Sequence, residues 1–166
     1  MNKKALLLVT IGAPGSGKSY FSKKFCKEYH FAHLRSDEIR KYVFSHPTYT
    51  QKENTRLFKL INFMLEKLLA GGVSVIYDAN FTKKESRTRA SRIAKKYKAN
   101  FAILWLSTPI DVAIKRARSR NYHPVDKGVV LGLHRELELP KDEPVIVIDG
   151  TKPYDVQKSS VLSYLG

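Results

Sequence analysis

Residues Gly12-Ala13-Pro14-Gly15-Ser16-Gly17-Lys18-Ser19 fit the spacing G-x-x-x-x-G-K-[ST] at every position. These residue types suit one task, gripping a chain of phosphates. Glycines let the backbone curl until successive N–H groups point inward at anionic oxygens. A helix starting where the loop ends adds the positive end of its dipole. Lys18 is placed to bridge the last two phosphates, and the Ser19 hydroxyl is an oxygen ligand for Mg²⁺. The loop follows an apolar run and precedes a helical pattern, as this motif requires. The expected nucleotide-binding set is therefore Gly12, Ala13, Pro14, Gly15, Ser16, Gly17, Lys18 and Ser19, with Tyr20 beside them.

Three other clusters offer partners for that loop. Asp78 closes the apolar run Val73–Tyr77, where an acid can stand beside the metal; the alternative is a turn or cap residue. Asp37, in Ser36-Asp37-Glu38-Ile39-Arg40, can orient an acceptor hydroxyl and take its proton, with Arg40 one turn on to hold an acceptor phosphate. Alternatively Ser36 or Asp37 only caps a helix. Arg116 and Arg120 lie four apart in a cationic stretch, so they share a helix face and can clamp a moving phosphoryl group. A run of charge is also what a solvated face looks like. The Pro- and His-containing loop that follows makes a lid of approximately residues 115–128 the expectation.

Elements that alternate in type must hold these residues. Leu6–Ile11 is continuously apolar and reads as a strand buried on both faces. Further strands are expected at Phe31–Arg35, Val73–Tyr77, Phe101–Leu106 and Val145–Ile148. Helices are expected at Ser19–Tyr29, Asp37–Phe44, Lys52–Ala70 and Lys83–Lys98, then from Thr108–Pro109 to Arg120, after the loop Asn121–Lys127 as far as Leu139, and at Val156–Tyr164. The long helix should bury Leu57, Leu60, Ile61, Met64, Leu65 and Leu68. Such alternation predicts an α/β three-layer sandwich, a five-stranded parallel sheet with helices on both faces. Ligands of such sheets bind at the carboxyl ends of the strands, where each of these clusters falls.

With 166 residues, the expectation is one domain over residues 1–166. Cys26 is the only cysteine, so no internal disulfide forms, and it reads as core filler. Lys3 and Lys4 before Ala5–Ile11 resemble a leader, but the run is short and no small-residue cleavage site follows, so a first strand fits better. No segment has the ~18 apolar residues of a membrane span, and a cytoplasmic protein is expected. Thirty Lys and Arg against fifteen Asp and Glu give a net charge of +15, which favours polyanionic partners. The stretch Lys83–Lys98 carries Lys83, Lys84, Arg87, Arg89, Arg92, Lys95, Lys96 and Lys98 against one acid, Glu85. Its apolar stripe of Ala90, Ile93, Ala94 and Tyr97 should face the sheet and its charges water. Tyr42, Phe44, Tyr122 and His123 are candidates to stack on bases.

In these motifs and their order the chain resembles the kinase domain of 5′-hydroxyl polynucleotide kinases and their small single-domain P-loop relatives. The matching segments are Gly12–Ser19, Ser36-Asp37-Glu38-Ile39-Arg40, Asp78-Ala79-Asn80-Phe81 and the Arg116/Arg120 pair. The resemblance implies ATP as phosphoryl donor and Mg²⁺ as cofactor, with Ser19, Asp37 and Asp78 at the metal. It implies Asp37 as general base, with Asp37, Arg40, Asp78 and Asn80 on the acceptor. Lys18, Arg116 and Arg120 would then serve the transferred group, the two arginines also contacting ATP phosphates. The implied acceptor is the 5′-hydroxyl end of DNA or RNA. The scaffold is similar to that of kinases for small molecules, nucleotide sugars and aminoacyl-tRNA, so those acceptors stay open, as does a nucleic-acid-binding ATPase. The missing guanine-specific N-K-x-D motif disfavours a GTPase switch.

Overall fold

Leu6–Ile11 forms β1, six residues buried without exception. In the computed structural model, which describes residues 4–119 and 124–166, β1 lies at the centre of a five-stranded sheet. The other strands are β2 (Ala32–Arg35), β3 (Val75–Asp78), β4 (Asn100–Ser107) and β5 (Val145–Asp149), in spatial order β2-β3-β1-β4-β5. Every pairing is parallel. The seven helices of the described residues are α1 (Lys18–Tyr29), α2 (Ser36–Val43), α3 (Gln51–Ala70), α4 (Lys84–Lys96), α5 (Ile110–Arg118), α6 (Lys127–Arg135) and α7 (Tyr154–Leu165).

A strand buried on both faces sends alternate side chains into two cores. Leu7, Val9 and Ile11 pack with Leu57, Ile61, Leu65 and Leu69 of α3 and with Ala90 and Ala94 of α4. Leu6 and Leu8 pack on the other face with Phe21, Phe25 and Cys26 of α1 and Val161 of α7. Each fully buried leucine or isoleucine contributes about 1.5–3 kcal/mol. The result is the three-layer α/β sandwich. No helix of the described residues is long and apolar enough to cross a membrane.

Several local expectations need correction. The buried stripe of α3 is Leu57, Ile61, Leu65 and Leu69, while Leu60 is 37% exposed and Met64 and Leu68 flank the stripe. A helix on a sheet buries a narrow i, i+4 line, and tertiary packing decides which of two adjacent apolar lines that is. Strand β3 starts at Val75; Val73 still closes the end of α3, its N–H donating to the Leu68 carbonyl at 2.9 Å. Helix α6 ends at Arg135, before Leu139. Neither Ser36 nor Asp37 caps α2: both are helical residues, and Arg35 is the N-cap, with no side-chain cap bond. The cap of α4 comes from a distant segment, since Lys84 N–H donates to Glu138 Oε2 at 2.7 Å.

The largest correction concerns Arg87. It does not face water with the other cations of α4; it is fully buried. Its Nε and Nη2 donate to Glu143 at 3.0 and 2.9 Å, and its Nη1 donates to the Phe81 and Thr82 carbonyls at 3.0 and 3.1 Å. Arg87 thereby anchors the turn that follows Asp78-Ala79-Asn80.

Candidate active site at the phosphate loop

The turn from β1 into α1 has glycine at three positive-φ positions, Gly12, Gly15 and Gly17. Gly15 has φ +88°, and a Cβ there would stand 2.0 Å from the Ala113 carbonyl oxygen, so the loop lies directly on α5. Ala13, Ala113, Ala117 and Val130 close that contact. Gly17, with φ +103°, is the N-cap of α1 and supplies no side chain as a cap. The leading N–H groups of α1 are left for an anion. Lys18 Nζ donates to the Gly12 and Ala13 carbonyls at 2.7 and 3.0 Å, which holds its charge over the cradle.

Parallel register sets Asp78 at the end of β3 beside this loop. Asp78 is 7% exposed. Its Oδ2 accepts from the Ser19 hydroxyl at 2.7 Å and its Oδ1 from the Thr10 hydroxyl at 3.0 Å. Burial pushes the carboxyl pKa up, but His33, the Ser19 and Thr10 hydroxyls and the Lys18 charge outweigh burial and hold it below the ordinary value. An ionised carboxylate touching a hydroxyl at the phosphate loop is a fitting donor set for Mg²⁺, which takes one or two carboxylates and completes its shell with phosphate oxygens and water. Among the described residues no three His, Cys, Asp or Glu side chains gather as an all-protein metal cage.

A cleft of about 370 Å³ opens beside Lys18, Ser19 and Asp78, and its lining also includes Asp37, Arg40 and Asn80. Asp37 is exposed in the first turn of α2, and no hydrogen bond to it occurs among the described residues. Arg35 pairs with Asp78 in the β2–β3 register, so α2 starts beside the metal-type carboxylate. Asn80 Oδ1 accepts from Thr82 N–H at 3.2 Å, shaping the turn at the cleft wall. Arg40 is 5% exposed, and its guanidinium is engaged by Glu53 and by Asn54 Oδ1. It tethers α2 to α3 and stands in the cleft wall already paired.

The other expected residues lie elsewhere. Arg116 does not line the cleft; its Nη1 donates to the Gly150 carbonyl at 2.7 Å, on the β5 side of the phosphate loop, where Thr108 Oγ1 also donates to the Ser16 carbonyl at 3.0 Å. Arg120, Tyr122 and His123, and with them part of the expected lid at 115–128, lie outside the described residues. Tyr20 is 57% exposed, with Lys24 Nζ 4.9 Å from its ring centre. Tyr42 is 93% exposed and away from the cleft lining, and Phe44 packs against the core.

Sequence reasoning missed Thr10, Arg35, Tyr49 and Phe58, all at the cleft. Thr10 had a signal, a lone hydroxyl in an apolar strand two residues before the loop. Tyr49 and Phe58 had none, since a loop tyrosine and a helix phenylalanine acquire a role only from what they face.

The "AAA domain" family model matches residues 7–140. The L-seryl-tRNA(Sec) kinase of Methanococcus maripaludis is 26% identical over 160 residues, which cover 90% of this chain. The chain spans 61% of that relative's length. Among solved structures, the Mycobacterium tuberculosis APS kinase CysC in complex with AMPPNP and APS superposes with TM-score 0.74 at 18% identity, covering 98% of each chain. A Sinorhizobium meliloti gluconokinase gives 0.70 at 18% identity, covering 99% of this chain and 92% of that one. A chain of the Pnkp1/Rnl/Hen1 RNA repair complex gives 0.73 at 23% identity, covering 82% of this chain and 45% of that one. With the phosphate loop, Asp37 and Asp78 all inside the matched span, this chain belongs to the AAA domain family and has the fold of P-loop kinases.

Proposed function

We propose that this chain moves the γ-phosphoryl group of ATP to a hydroxyl carried by a nucleic acid, first among these the 5′-hydroxyl end of DNA or RNA. One observation carries the reading: Lys18, Ser19, Asp78 and Asp37 border a single cleft, with Asp37 unengaged and facing it. The loop amides and Lys18 hold the triphosphate. Ser19 and Asp78 would hold Mg²⁺, which, when bound, offsets charge on the phosphate oxygens. Asp37 orients the acceptor hydroxyl and takes its proton as the new P–O bond forms and ADP departs. Arg116, on the β5 side of the phosphate loop, would reach the nucleotide from there rather than from the cleft.

Charge supports a nucleic-acid acceptor. On α4, Arg89 and Lys96 are matched by Glu85 and Glu66, and Lys83 just before the helix by Glu138. Arg92, Lys95 and Lys98 meet no carboxylate among the described residues and are free to attract phosphates. The likeness to an L-seryl-tRNA(Sec) kinase over 90% of this chain favours a second reading, a hydroxyl on a charged tRNA.

The test is labelled ATP with Mg²⁺ offered to a 5′-hydroxyl oligonucleotide, its 5′-phosphorylated twin, seryl-tRNA, gluconate and adenylyl sulfate. Label should enter the 5′-hydroxyl oligonucleotide and not its twin, with KM rising steeply with salt. Asp37→Asn should lower transfer by about 10²–10⁴-fold while ATP still binds. Label in seryl-tRNA alone selects the second reading. Turnover of a small hydroxyl compound with no label in any nucleic acid refutes both.

A further inference from the structure

Tyr49 is held in a conformation that its own chemistry disfavours. Its φ is +56°, in the left-handed region that a residue bearing a Cβ rarely adopts. The residues on both sides fix it there. Thr48 donates to Glu53 Oε2 from its N–H at 2.6 Å and from its hydroxyl at 2.8 Å. Thr50 caps α3, and Asn54 Nδ2 donates to the Tyr49 carbonyl at 3.4 Å. The same Glu53 and Asn54 grip the Arg40 guanidinium, which lies 4.6 Å from the centre of the Tyr49 ring.

Seen from the cleft, this is a ring backed by a buried cation. Arg40 covers one face, yet Tyr49 remains 62% exposed and lines the cleft that holds Asp37. Arg40 Nε is buried without a partner, so the guanidinium is placed for its stack with the ring and its two engaged nitrogens rather than for full satisfaction. A tyrosine fixed by its neighbours loses little freedom when a second flat group covers it. Nucleobases stack on such rings whatever their sequence.

We infer that Tyr49, laid over the Arg40 guanidinium, is the platform on which the terminal nucleobase of the acceptor stacks, with that nucleotide's hydroxyl turned to Asp37. The inference rests on the nucleic-acid reading of the acceptor and narrows it: the site grips the terminal nucleotide by its base as well as its backbone by charge.

The probe is a 5′-hydroxyl oligonucleotide with 2-aminopurine as its 5′-terminal base, bound to the full chain with Mg²⁺ and a non-hydrolysable ATP analogue. Stacking quenches its fluorescence, which reads the base independently of phosphoryl transfer. Tyr49→Phe should keep the quench. Tyr49→Asn removes the ring yet tolerates the left-handed backbone; it should abolish the quench and weaken binding roughly 5- to 100-fold. An oligonucleotide abasic at its 5′ end should lose the same factor on the unaltered chain, a comparison that does not depend on the variant folding. Equal binding and quench in Tyr49→Asn, or no penalty for the abasic end, while the oligonucleotide is still phosphorylated, overturns the platform and leaves the kinase reading intact. Failure of every nucleic acid to bind or take label, with a small compound turned over instead, overturns both.

Discussion

Removing Glu143 tests the interior assigned to Arg87. Glu143 accepts two of the Arg87 hydrogen bonds, at 3.0 and 2.9 Å, and is itself 13% exposed; Arg87 is fully buried. In Glu143→Ala the buried guanidinium keeps the Phe81 and Thr82 carbonyls but loses the carboxylate it pairs with and two acceptors. Breaking a buried pair from one side costs about 3–5 kcal/mol. For a chain of this size about 2–4 °C of Tm accompany each kcal/mol, so Tm should fall by about 6–20 °C. Arg87→Met should cost less, because Glu143 borders solvent and a hydrophobe refills the arginine's space. Once Glu143 is absent, Arg87→Met should restore stability. The assay is thermal and urea unfolding of the two single variants and the double variant. A loss below about 1 kcal/mol in Glu143→Ala, or double-variant losses that merely add, would refute the reasoning. It would mean that Arg87 reaches water as the other cations of α4 do.

Two further outcomes are expected. Gly15→Ala places a Cβ 2.0 Å from the Ala113 carbonyl oxygen at φ +88°, so it should lose at least about 2 kcal/mol of stability and most of its affinity for ATP; full affinity at an unchanged Tm would contradict the loop packing. Burial pushes the Glu53 pKa up, but hydrogen bonds from Thr48, Arg40 and the Tyr49 backbone overcome it and bring the pKa down from 4.5 to about 2. A folded-state value below the unfolded one gives stability that is present above pH 4.5 and lost as pH falls towards 2. Tm followed against pH should therefore drop more steeply in this window for the unaltered chain than for Glu53→Gln, and parallel curves would contradict the assignment.

The phosphate loop was fully legible in the chain, because its chemistry is local: residues 12–19 build their own cradle and need only a strand before and a helix after. The alternation of apolar runs and helical patterns was equally legible, and with it the parallel three-layer sandwich, since one strand buried on both faces demands helices on each. Asp37 and Asp78 could be singled out as acids at strand ends, where open parallel sheets gather their ligands.

What that pattern left open depends on contacts between residues far apart in the chain. Spacing puts Arg87 on the face of Ala90 and Ala94, but what makes its burial tenable is Glu143, 56 positions away, which the fold brings to it. Arg40 looked like a free phosphate ligand until α3 supplied Glu53 and Asn54. Tyr49 carries no signal in the sequence; those same residues fix it over Arg40 at the cleft. The sequence by itself determined the nucleotide cradle and the layering, because loop glycines, dipoles and strand periodicity act within a few residues. Only the tertiary structure decided which charges are buried and which ring lines the cleft, because a partner distant in the chain leaves no trace in a side chain's own neighbourhood.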